Sequence, residues 1–191
     1  ITTAVYALVD TVLLQPLPYP DADRLVTLYE SNPAGREKTS LAAPGRLDDW
    51  QRLSRTFTAI SASYSENVTD TSAAEPERLE GRRVTARYFA VFATSPIAGR
   101  VFTAEEEQAS GPGAAVISDG FWARRFQRRP DAIGHALFVG GRRFEVVGVM
   151  PATFDRSTID VWLPAQVAPR MLAFREARFV GGVGRLKPGV T

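Results

Sequence analysis

Three consecutive glutamates in AEEE, Glu105 to Glu107, form the densest set of proton-transferring groups in the chain. Carboxylate acid–base chemistry needs two such groups to converge on one point. Neighbouring residues diverge in both helices and strands, so the run is predicted to be a solvated helix start whose acids complement the helix dipole. Asp48 and Asp49 read the same way. The only histidine, His135, stands at the start of a predicted strand, where a structural hydrogen bond is its expected use. With no cysteine, thiolate catalysis, disulfides and zinc fingers are excluded. GGVGRLKPG, residues 181–189, has neither phosphate-loop nor dinucleotide spacing and is read as a glycine-softened strand end. No Gly-x-Ser-x-Gly elbow occurs. No residue is therefore assigned as catalytic, cofactor-binding or metal-ligating.

Arg124, Arg125, Arg128 and Arg129 are the densest basic cluster, beside Phe121 and Trp122. Stacking on nucleic acid would need those charges and rings on one surface. Helical spacing instead turns Trp122 inward and the arginines outward. The expected reading is a solvated helix face, ahead of a protein or lipid-headgroup contact and well ahead of nucleic acid. A formal charge of +2 over 191 residues agrees, as does a chain 45% hydrophobic and 23% charged, which is globular rather than disordered.

The elements that must position these groups are legible in the hydrophobic pattern. Ile1, Ala4, Val5, Leu8, Val9, Val12 and Leu13 mark a one-sided helix, ended by Pro16 and followed by the extended PLPYP. About fourteen residues fall short of the roughly twenty that cross hydrocarbon. The stripe is either a surface helix on its own domain or the end of a membrane helix. DRLVTLYES, residues 23–31, predicts a strand buried on at least one face, and NPAGREKTS a loop. A helix beginning at Pro44, with Leu47, Trp50 and Leu53 inward, leads to a strand over 57–65, completing a strand–helix–strand unit. The polar ENVTDTSAAEPER reads as a hairpin tip or surface loop.

Further along, a short strand ending at Val84, a helix over Arg87 to Phe92, and an extended piece entered through Pro96 and Gly99 are expected. A buried strand at Ala114 to Ile117 leads to a helix capped by Ser118 or Asp119, with Trp122 and Phe126 on its inner face. HALFVGGRRFEVVGVM is a hairpin turning at Gly140 and Gly141. DVWLPA reads as a strand, QVAPRMLAFRE as a helix or irregular turn, and RFVGGVGRL as a last strand. The fold class is α+β with mixed or antiparallel strands.

Six stretches in order, VLLQPLPYPDADRLVTLYE, GRVFTAEEE, AAVISDGFWARRF, AIGHALFVGGRRFEVVGVMP, DVWLPA and GRLKPGVT, resemble the extracytoplasmic core domain of MacB/FtsX-like ABC transporter permeases across essentially the whole chain. The resemblance implies a porter-like α/β subdomain built from residues 15–92 and 175–191, incomplete at its C-terminus. A small Sabre-like α/β subdomain, 93–174, is inserted between the two pieces. Residues 1–14 would be the exposed end of a first transmembrane helix or a stalk. It implies a non-catalytic, extracytoplasmic domain of a bacterial inner-membrane protein, without cofactor. Such a domain would couple ATP-driven movement of membrane helices to an exported substrate or partner protein. The implied partners are a cytoplasmic ATPase subunit, a second permease copy and a periplasmic adaptor or substrate protein, with no nucleic acid. The alternative is an independent extracytoplasmic module that binds a peptide or small ligand.

Overall fold

A computed structural model describes residues 18–30, 41–154 and 158–190. The apolar stripe over 1–14 and the NPAGREKTS loop lie outside the described residues. In chain order the elements are β1 (Leu25–Leu28), β2 (Leu41–Ala42), α1 (Pro44–Leu53), β3 (Phe57–Ser65), β4 (Val68–Asp70), β5 (Glu77–Leu79), β6 (Gly81–Val84), α2 (Tyr88–Val91), β7 (Ala98–Gly99), α3 (Ala104–Glu107), β8 (Ala114–Ser118), α4 (Asp119–Phe126), β9 (Ala136–Val139), β10 (Arg142–Met150), β11 (Val161–Pro164), α5 (Pro169–Ala173) and β12 (Val180–Leu186).

The strands join one mixed sheet in the order β1-β12-β3-β6-β11-β8-β10-β9-β4-β5, with β2 on β12 and β7 on β10. β12 is antiparallel to both β1 and β3, so those two run the same way on either side of it. The predicted strand–helix–strand unit is therefore present but split by a strand from the far end of the sequence. β6 pairs in parallel with β11, and β8 in parallel with β10. The hairpin β9–β10 turns at Gly140 and Gly141, whose φ angles of 58° and 75° suit the glycines there.

Alternation along the strands separates two cores. Ala115 and Ile117 of β8 pack beneath α4 with Phe121, Leu137, Phe144 and Val146. Ala114 and Val116 face the other way, into an aromatic cluster of Phe89, Phe102, Phe154 and Trp162. A third core joins Leu47 of α1 to Ile60, Ala62 and Val180. Pro44 opens α1 as expected and Leu47 is buried, but Leu53 is 68% exposed, so the apolar face stops one turn early. β1 is half-buried rather than fully covered on a face.

β12 can be central because it is thin. A Cβ on Gly182 would stand 2.9 Å from Leu47 Cδ2 and 3.0 Å from Leu28 Cβ, while one on Gly184 would meet the Phe57 ring at 2.6 Å. The glycines of GGVGRL thus belong to the middle of a strand, not to a softened strand end, and they admit side chains from both neighbours. Gly182→Val is expected to cost about 1–3 kcal/mol through overpacking. A urea midpoint unchanged from that of the parent protein would show that Leu47 and Leu28 can move aside.

The start of this region is fixed by Glu30, 7% exposed, which accepts from the Ala43 amide at 3.0 Å and pairs with Arg46 at 3.2 Å and Arg178 at 2.8 Å. One carboxylate thereby ties the end of β1 to the openings of α1 and β12.

Candidate functional site

A cleft of about 530 Å³ opens between α1 and β3 on one side and the segments 104–110 and 165–172 on the other. Its apolar lining comes from Leu47, Ile60, Ala62, Tyr64, Val167, Leu172 and Val180. The polar lining includes Asp48, Gln51, Ser61, Thr85, Arg87 and Glu107. The size and mixed walls are those of sites that enclose small apolar molecules or short peptide segments.

Each polar group is positioned by local structure. Gln51 accepts the Ile60 amide through Oε1, leaving its amide nitrogen for other partners. Ser61 and Thr85 share a hydroxyl hydrogen bond of 2.7 Å, and Thr85 Oγ1 also lies 3.3 Å from the Ala62 amide nitrogen. Glu107 Oε2 accepts the Ala86 amide at 2.9 Å, joining the two walls. Arg87 and Asp48 make no ion pair among the described residues. Burial pushes the Tyr64 hydroxyl pKa up, with the charge of nearby Arg83 opposing it.

The three glutamates of AEEE take three different roles. Glu105 is exposed, Glu107 reaches the cleft wall, and Glu106 is buried. The solvated helix start expected from sequence is corrected at Glu106. It closes a capping box with Thr103 and receives two hydrogen bonds from Arg100, at 2.8 and 3.0 Å. Burial alone would raise the Glu106 carboxyl, but the Arg100 and Thr103 hydrogen bonds outweigh it and hold it below the ordinary 4.5. A depressed folded value contributes stability above the unfolded pKa, and that stability is lost as pH falls through the folded one. Between about pH 6 and about pH 3 the parent should lose more stability than Glu106→Gln; parallel losses in chemical unfolding would remove Glu106 as the source.

Behind the glutamates, Gln166, at φ 46°, donates to the carbonyls of Glu106 at 2.8 Å and Gly111 at 3.2 Å. The wall of the cleft is therefore a fastened loop.

The arginine cluster is distributed among acids. Arg124 pairs with Asp160 at 3.0 Å and Glu77 at 3.2 Å, Arg125 with Glu77 at 3.7 Å and Asp70 at 3.8 Å, Arg128 with Asp119 at 2.6 Å, and Arg129 with Asp131. The expected separation of charge from aromatics holds only in part. The Arg124 guanidinium lies 5.3 Å from the centroid of Phe121, which is fully buried, whereas Trp122 is half-buried and donates Nε1 to the Arg129 carbonyl at 2.8 Å. Ser118 caps α4 by accepting the Phe121 amide, as its sequence position predicts. His135 is exposed, and its ring meets Phe126 edge-on at 5.0 Å. Among the described residues no three His, Asp or Glu side chains are grouped to hold a metal ion. No described helix is long and apolar enough to cross a membrane.

Asp70 was missed by the sequence reading. Its side chain, fully buried, accepts from the Ser72 amide at 3.0 Å, the Ser72 hydroxyl at 2.6 Å and the Phe138 amide at 2.9 Å. The Asp-x-Ser spacing of a local turn was its available signal.

The model of the MacB-like periplasmic core domain family matches residues 1–191. No curated protein matches. Among solved structures, the periplasmic region of MacB from Actinobacillus actinomycetemcomitans is similar with a TM-score of 0.69 at 14% identity, over 95% of this chain and 82% of that one. The extracellular domain of the noncanonic ABC-type transporter YknZ from Gram-positive bacteria gives 0.62 at 15%, over 86% and 84%. A domain of a putative permease from Porphyromonas gingivalis gives 0.69 at 16%, over 91% and 79%. At these identities the likeness is one of fold.

Proposed function

Because the chain belongs to the MacB-like periplasmic core domain family, we propose that it transmits movement between the membrane part of an ABC transporter permease and a substrate or partner protein outside the cytoplasmic membrane. The domain is extracytoplasmic and of a permease type. The whole-chain family match carries this reading. The arrangement of β12 supports it, because β12 lies between β1 and β3 and holds these sequence-distant strands in one sheet. A part that conveys displacement needs such stiffness and defined contact surfaces, not a reactive centre.

In this reading a cytoplasmic ATPase subunit drives the membrane helices, and two permease copies work together. The porter-like subdomain spans residues 15–92 and 175–191 and the Sabre-like insert 93–174. The two share their sheet: the β4–β5 hairpin, from the first piece, pairs with β9 through Asp70 and Val139.

The test is a distance between copies in the full permease with its ATPase. A spin label at Ala74→Cys, an exposed position, should report a different intercopy distance with and without ATP. Identical distances in both states would overturn the reading. The cleft favours a second reading, a ligand-binding module, which would show saturable stabilisation of the isolated domain by an apolar ligand.

A further inference from the structure

We propose that α2 is a lever joining the entry of the chain to the cleft, so that displacement at Tyr19–Asp21 changes the spacing of the cleft walls. The proposal rests on the transmission reading above and assigns it a mechanical part.

The C-terminal end of α2 is gripped twice by the entry segment. The Tyr19 ring lies 4.7 Å from that of Phe92, which directly follows the helix, and its hydroxyl donates to the Phe154 carbonyl. Two residues on, the Asp21 carbonyl accepts from Arg185 Nη1 at 3.3 Å, while Arg185 Nε donates to the Val91 carbonyl at 2.5 Å. Arg185 is 5% exposed and donates to two backbone carbonyls, with no ion pair to a carboxylate among the described residues. A buried guanidinium that bridges the end of this turn and the entering chain favours that geometry through charge-assisted hydrogen bonds. Arg24 adds a third hold, donating to the Leu186 carbonyl at 2.6 and 2.9 Å, so the entry also moves with the end of β12.

The other end of α2 is part of the cleft. Thr85 and Arg87, just ahead of it, line the cavity, and Thr85 is hydrogen-bonded to Ser61 of β3. The intervening Ala86 amide is held by Glu107 from the opposite wall. A single short helix therefore has one end on the entering chain and the other on the contact between the two walls. A rigid element gripped at both ends moves as a unit, and closely packed surroundings leave few other directions for its displacement.

The chain contains no cysteine, so paired labels can be introduced without background in the domain. Asp48→Cys and Ala109→Cys place labels on exposed positions of the two walls. In the full permease with its ATPase, the wall-to-wall distance should shift between nucleotide-free and ATP-bound states. That shift should be lost in Arg185→Met and in Tyr19→Ser. Both variants are to retain the parent circular dichroism spectrum and basal ATP hydrolysis, and Tyr19→Ser guards against the case in which Arg185→Met fails to fold. If the shift persists in a folded variant, the lever is overturned while transmission stands. If the intercopy distance at Ala74→Cys responds to ATP but the cleft distance does not, the lever is likewise overturned. If neither distance responds in the parent, the transmission reading fails and takes the lever with it.

Discussion

Asp70→Ala is expected to lower the unfolding free energy by about 3–5 kcal/mol, the cost of removing one member of a buried, hydrogen-bonded charge arrangement. The carboxylate satisfies the Phe138 amide of β9 and both donors of Ser72, and it faces Arg125 at 3.8 Å. Its loss leaves a strand amide without an acceptor and releases the β4–β5 hairpin from the edge of the sheet. Domains of this size have stabilities of about 5–15 kcal/mol, so the variant should be visibly unfolded in urea concentrations the parent tolerates. Asp70→Asn keeps an acceptor oxygen and should lose about half as much. Equal losses in the two variants would assign the effect to charge rather than to the hydrogen bonds.

Trp162→Ala should match that loss by a different route. Trp162 is 1% exposed on β11, with Phe154 at 5.5 Å and Phe89 at 5.9 Å between ring centroids. Truncating a buried aromatic removes its transfer energy and leaves a cavity, a combined cost of about 3–5 kcal/mol. Its indole nitrogen, however, is buried without a hydrogen-bond partner among the described residues. Trp162→Phe removes that orphan donor together with one ring's volume, and the two changes oppose each other. It should cost less than about 1.5 kcal/mol. Thermal unfolding of the pair checks the argument, and a phenylalanine variant as damaged as the alanine one would refute it.

The elements that were legible are those whose signal is local. FTAISASYS becomes β3 at the predicted residues, Pro44 opens α1, Ser118 caps α4, and Gly140–Gly141 turns a hairpin. Each follows from a side chain's effect on its own backbone. What was hidden depends on partners distant in sequence. Glu106 could not be distinguished from its neighbours without Arg100 folded over it. Asp70 sat in a stretch whose composition reads as surface, yet Val68, Asp70 and Leu79 are all buried because β9 arrives beside them. The cleft was equally invisible. Its walls come from segments up to 136 residues apart, Pro44 to Val180, and no short motif records their meeting. The glycines of β12 stand out in the sequence, but their purpose appears only with Leu28, Leu47 and Phe57 in place.

The position of β12 sets the order in which this chain can acquire its structure. β1 and β3 run side by side only through a strand that begins at Val180, so until that strand has emerged β1 lacks its ladder partner and β3 is paired on one edge alone, with β6. Two strands waiting for a third expose unpaired amides and carbonyls, which favour wrong pairings and association between chains. Closing so long a loop is also slow, because its entropy is lost before the contacts that compensate it form. The half of the sheet around β8 to β10 is assembled from neighbouring segments and can form first. Its hairpin and helix then provide a template, and refolding should show a fast phase there followed by a slower one as β12 inserts.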